Sequence, residues 1–205
     1  MSDTEDTWPL PQYNPGSRLH LHALGVISVT FVALERSMNE HYINCAVRAG
    51  MPIDLVDKYY LHLNEDSRMQ AIRDIFKVHE KEKEVTALID NLVSYFNWCR
   101  NCRNHILHSE LYPPAFGGEK DTLYLIKKAS KKSTESGYMK FKLIALRGIA
   151  DKIRYGVVQS AEIHIYLRYR DVPSHKVRES LRAYVHDPLP GKLRIPRSLE
   201  LSQNP

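Results

Sequence analysis

From Ser17 to Val47 the chain carries no proline, and Leu21, Leu24, Ile27, Phe31, Leu34, Met38 and Tyr42 recur at steps of three and four residues. Such steps gather side chains on one face of an α-helix and scatter them over both faces of a strand. The stretch therefore reads as one long amphipathic helix, with Ser17 as its N-cap and Gly50 and Pro52 past its end. The helical period returns over Ile53–Leu63, and over Met69, Ile72, Ile75 and Phe76 after the cap signal Asn64-Glu65-Asp66-Ser67. It returns again from Val85 to about Leu111 and over Arg147–Arg170. His79–Thr86 is charged and reads as a solvated segment between helices. Pro113-Pro114 stops the helix before it, because proline cannot continue the backbone ladder.

Two segments depart from this period. Asp121–Lys128 and Gly137–Leu146 are rich in Leu, Ile, Tyr and Phe, and in the second Met139, Phe141 and Leu143 alternate with Lys140 and Lys142. Alternation marks a strand with one wet face, and the SKKSTES between them marks a turn. The expected fold is mostly α: a helical bundle over residues 17–186 with a β-hairpin inserted at about 121–146. Ser174–Val185 reads as a further short helix. Pro9, Pro11, Pro15 and Gly16 make residues 1–16 an extended, flexible arm, and four prolines make 187–205 a flexible tail.

With 205 residues, the length suits a single domain at roughly 150 residues per domain. Hydrophobic residues at 43% and charged residues at 26% exclude collagen-like, low-complexity and disulfide-scaffold classes. The longest apolar run, Ala23–Leu34, is shorter than a membrane span and is interrupted by Gly25, Ser28 and Thr30. The N-terminus is acidic, unlike the basic start of a secretory signal. Three cysteines, an odd number, do not suggest a secreted disulfide framework. A cytoplasmic protein with no membrane partner is expected.

Charge divides the chain. Residues 1–119 hold 11 Lys/Arg and 16 Asp/Glu, whereas residues 120–205 hold 18 and 8, a balance of −5 against +10 within a total of +5. A strongly basic half suits a polyanionic partner, and it also serves solubility. Lys127, Lys128, Lys131 and Lys132 at the hairpin tip, with Arg168 and Arg170, are the candidate RNA contacts. A solvated turn is the plain alternative for the lysines.

On a wheel of residues 88–108, Leu88, Leu92, Tyr95, Phe96, Cys99, Cys102 and Ile106 form a core arc. Arg100, Asn104 and His108 form a neighbouring stripe, and Arg103 and Leu107 lie between. Leu107 beside a polar stripe indicates a face that meets another helix or another copy of the chain. Arginine offers a planar, permanently charged fork to phosphate oxygens. Histidine exchanges protons near neutrality, and a carboxamide can orient either partner. The set suits metal-free RNA cleavage by 2′-hydroxyl attack. It also suits a surface helix end that Arg and His merely cap.

The segment Arg103-Asn104-His105-Ile106-Leu107-His108 resembles the Arg-x4-His motif of the HEPN family (higher eukaryotes and prokaryotes nucleotide-binding), with the polar residue after Arg and the position late in a long bundle helix. The resemblance covers about Leu88–Pro113 and the bundle outline. It implies a HEPN-like fold and a metal-independent endoribonuclease without cofactor, with Arg103, Asn104 and His108 catalytic. It implies a composite site at a homodimer interface, a role as toxin or defence effector, and an antitoxin or nucleotidyltransferase partner. Arg100 and His105 spell the same motif three residues earlier and stand as secondary candidates. The alternative is a non-catalytic HEPN module that binds RNA, nucleotide or protein. A plain interaction protein, whose helical face only dimerises, is the third reading.

Cys99-x-x-Cys102 lies on the core arc without a second pair, so buried thiols are expected rather than a metal site. His20 and His22 suit capping or the surface, and Glu35 and Glu40 exposed positions or acid–base helpers. No phosphate-binding glycine loop and no Gly-x-Ser-x-Gly elbow occurs.

Overall fold

The computed structural model describes residues 18–111, 122–127, 137–173, 176–181 and 190–195. The N-terminal arm, the hairpin turn and most of the proline-rich tail lie outside them. The described chain runs α1 (Arg18–Arg48), α2 (Ile53–His62), α3 (Glu65–His79), α4 (Lys83–Leu107), β1 (Glu110–Leu111), β2 (Thr122–Lys127), β3 (Gly137–Lys142) and α5 (Leu143–Tyr169). The fold is mostly α, as expected.

The start of α3 and the end of α1 have local causes. Asn64 caps α3, its side chain accepting the Ser67 N–H at 2.9 Å. Gly50 closes α1 at φ 90°, a left-handed backbone that glycine adopts without steric cost. There the Gly50 N–H donates to Val47 O and the Met51 N–H to Ala46 O, the paired bonds of a Schellman end.

α1 and α5 lie side by side in the same direction. Ser37 Oγ and Ser160 Oγ stand 2.7 Å apart, and Arg48 donates to Leu167 O. α4 runs against α5: Tyr95 touches Gly156 and Trp98 faces Lys152. A Cβ on Gly156 would stand 2.8 Å from Tyr95 Cε1, and the Tyr95 hydroxyl is tied to Lys152 O at 2.7 Å. The ring cannot retreat without breaking that bond. Gly156→Ala is therefore expected to cost about 1–3 kcal/mol, as overpacking does, read from the urea midpoint.

The expected core arc of α4 is buried throughout: Leu88, Leu92, Tyr95, Phe96, Cys99, Cys102 and Ile106. It meets Ala23, Ile27, Phe31 and Leu34 of α1, and Phe31 stacks on Phe96 at 5.5 Å. β2 and β3 pair antiparallel in the expected hairpin, with Leu123, Leu125, Met139 and Phe141 turned into the core.

Four expectations need correction. The fourth helix stops at Leu107, not Leu111, because Glu110–Leu111 pairs with Leu125–Ile126 as the edge of a three-stranded sheet ordered β1-β2-β3. Leu143–Leu146 is helix rather than strand. Lys142 is the N-cap of α5, and Leu146 begins the buried series with Ile149, Ala150 and Ile153. The tail is not wholly free, since Leu193 is 3% exposed. The Asn91 carboxamide accepts the Leu193 N–H at 2.7 Å and donates to its carbonyl at 3.1 Å. That amide acts as a one-residue strand partner. His20 is buried, not a surface or capping residue, because it shares the arc of Ala23 and Ile27.

By length and composition α1 would suffice to cross a membrane, with a mean hydropathy of 1.3 over 18 residues. The sequence count missed this because it asked for an unbroken apolar run. Ten residues of α1 are buried within the bundle.

Candidate functional site

Arg103, Asn104 and His108 stand at the C-terminal end of α4. The Arg103 guanidinium lies over the Phe31 ring of α1, 5.5 Å from its centroid. Its Nη1 donates to Asn104 Oδ1 at 2.8 Å and approaches His108 Nε2 at 3.4 Å. A guanidinium has only donors, so that contact needs the lone pair on Nε2, the neutral imidazole protonated at Nδ1. His108 is the C-cap, exposed, at φ −96° and ψ 6°, with its N–H bonded to Asn104 O. The backbone thus turns the imidazole back toward the guanidinium one turn earlier.

Arg103 forms no ion pair among the described residues, and its Nε is buried without a hydrogen-bond partner. Arg100, a secondary candidate, bridges to Glu65 at 3.4 Å and Asp66 at 2.5 Å on the first turn of α3. It ties α4 to α3, and its charge meets those two carboxylates. His105, the other secondary candidate, is half-buried and lies roughly 140° round the helix from Arg100, with which it spells the earlier motif. In the later reading of the motif Arg103 and His108 approach to 3.4 Å.

Phe31 and Glu65 belong to this site although sequence reasoning did not place them there. Phe31 shows only as one more core position of α1. Glu65 shows only as part of a cap signal. Burial pushes the Glu65 carboxyl up, more than the Arg100 and Arg103 guanidiniums draw it down. Glu35 is half-buried on the same side and adds to that upward push, whereas Glu40 is exposed and paired with Arg36 at 3.4 Å.

The candidate RNA contacts divide. Lys128, Lys131 and Lys132 lie outside the described residues, and Lys127 ends β2. Arg168 is exposed against the Tyr169 ring, 5.6 Å from its centroid. Arg170 is 15% exposed and bridges to Glu80 at 2.6 Å and Glu82 at 3.8 Å, so its charge is spent inside the protein. From the start of α5 to Arg168 is about 40 Å at 1.5 Å per residue. The hairpin and Arg168 therefore cannot belong to one short tract.

Cys99 and Cys102 are buried thiols, as expected. Burial pushes both up, Cys102 to about 12. Among the described residues no group of three His, Cys, Asp or Glu side chains is placed to hold a metal. A cleft of about 210 Å³ opens at the far end of the bundle, lined by His41, Asn44, Arg48, Glu80, His164 and Arg170 among others. Arg48 donates there to the Leu167 carbonyl and Arg170 to the Glu80 carboxylate. Burial and the neighbouring His164 lower His41 to about 4, so it stays neutral on Ser160 O.

Comparison with family models, with curated proteins and with solved structures finds no match to this chain.

Proposed function

We propose that the chain is a metal-independent endoribonuclease of HEPN type, acting as a homodimer in the cytoplasm. One observation carries this reading: a guanidinium in no ion pair among the described residues, propped on Phe31 and Asn104, that touches the imidazole of an exposed helix-capping histidine. In an RNA strand laid there, Arg103 binds the non-bridging oxygens of the scissile phosphate. As the phosphate draws Arg103 Nη1 off the imidazole, the freed lone pair of His108 Nε2 accepts the proton of the adjacent 2′-hydroxyl while its oxygen attacks phosphorus. The bond from phosphorus to O5′ breaks, and the leaving oxygen takes a proton from an imidazolium. The products are a 2′,3′-cyclic phosphate and a 5′-hydroxyl. Asn104 holds the guanidinium in the plane this requires.

A second copy of the chain is the expected partner. Between Arg18 and Glu35 α1 carries no Asp, Glu, Lys or Arg, and Val29 and Val32 are 73% and 58% exposed. Val32 directly follows Phe31, so two copies joined there bring two Arg103–His108 pairs toward one groove. An antitoxin or nucleotidyltransferase would cover the same face.

Purified protein incubated with mixed RNA in EDTA tests the reading. Wild type is expected to yield cyclic-phosphate ends, and His108→Ala to be about 10²–10⁴-fold slower. If both leave RNA equally intact, the nuclease reading fails, and retention of labelled RNA then decides for a binding module.

A further inference from the structure

The sheet belongs to the motif end of the bundle by both of its connections. β1 begins two residues after His108, and β3 runs straight into α5, whose N-terminal part lies beside the C-terminal part of α4. Cross-strand partners share a face, so the register defines the solvent side of the sheet. Tyr124 stands opposite Lys140, Thr122 opposite Lys142, and Glu110 opposite Ile126. The other face, with Leu123, Leu125, Met139 and Phe141, is buried.

On the solvent side Lys140 and Lys142 are exposed, and the Lys140 ammonium stands 5.7 Å from the centroid of the half-buried Tyr124 ring. Arg147 is exposed on the first turns of α5. Glu110 is the one acidic side chain on this face among the described residues. An aromatic ring beside a cation, on the open face of a sheet, is the chemistry that holds unpaired bases and their phosphates. A duplex hides its base faces and offers such a ring nothing to stack on.

We propose that the outer face of the sheet, Tyr124 with Lys140 and Lys142, binds single-stranded RNA and leads the strand to the Arg103–His108 pair. The proposal rests on the nuclease reading for its direction, and on the sheet alone for its contacts. Tyr124 stacks one base, and the two lysines neutralise phosphates on either side of it.

Binding without cleavage separates the two. In the His108→Ala protein, a fluorescent 12-nucleotide single-stranded oligouridylate is titrated by anisotropy at several salt concentrations. Tyr124→Ala is expected to weaken binding about tenfold, the size of one lost base stack, while Tyr124→Phe keeps it. Lys140→Gln with Lys142→Gln is expected to flatten the slope of log affinity against log salt by about 1.4, near 0.7 for each phosphate contact on a single strand. Both lysines are exposed, so their replacement leaves the fold in place. Variants that bind like their parent overturn the proposal, as does a parent that binds a 12-base-pair duplex as tightly or retains no oligomer. Cleavage of a dinucleotide by the protein with His108 intact reads the nuclease site separately.

Discussion

Arg103→Lys is expected to slow RNA cleavage at least about 100-fold while leaving the protein folded. Lysine keeps the positive charge and most of the stem that crosses Phe31. It loses the planar fork, and with it the simultaneous contact to Asn104 and His108 that sets the guanidinium in place. An ammonium at that position is a point charge free to rotate away from the phosphate. The loss should fall on kcat, because the fork matters most as charge develops on the phosphate oxygens, with a smaller change in KM. Thermal unfolding of the variant is expected to match wild type, since Arg103 has no carboxylate partner to strand. A lysine variant with wild-type kcat would show that Arg103 does not hold the phosphate in the transition state.

Arg170→Ala is expected to destabilise the fold by about 3–5 kcal/mol, the usual cost of leaving a buried charge unpaired. Glu80 is 7% exposed and meets Arg170 at 2.6 Å. Burial pushes the Glu80 carboxyl up, but the Glu82 N–H and the Arg170 guanidinium outweigh it and hold the carboxyl below the usual range. A carboxyl depressed in the folded state stabilises the fold above its unfolded pKa, about 4.3, and that contribution is lost as pH falls through the folded value. Urea midpoints of wild type should therefore drop below about pH 4. In the variant they should start lower and change less across that window. A variant as stable as wild type but weaker for RNA would return Arg170 to the RNA contacts.

The helices were legible because each carries its own evidence. Apolar residues at steps of three and four, Asn64 at a cap and Gly50 past an end are local signals, and the backbone obeyed them. The hairpin was legible too, since Met139 and Phe141 alternate with Lys140 and Lys142. The end of α4 was not. Glu110 and Leu111 leave the helix to pair with residues 14 to 16 positions later, and no local pattern records such a pairing. Leu193 was misread for the same reason, because its partner Asn91 lies 102 residues away.

Charges were the least legible feature. Arg100, Arg103, Arg168 and Arg170 look alike in a sequence, yet Arg100 and Arg170 are consumed by carboxylates of α3 and the segment after it, and Arg103 is not. The amino-acid order by itself determined the elements, the buried arc of each helix and the spacing that puts Arg103, Asn104 and His108 together. Only the tertiary structure decided which guanidinium kept its donors, because an ion pair depends on what a distant helix brings within a few ångströms.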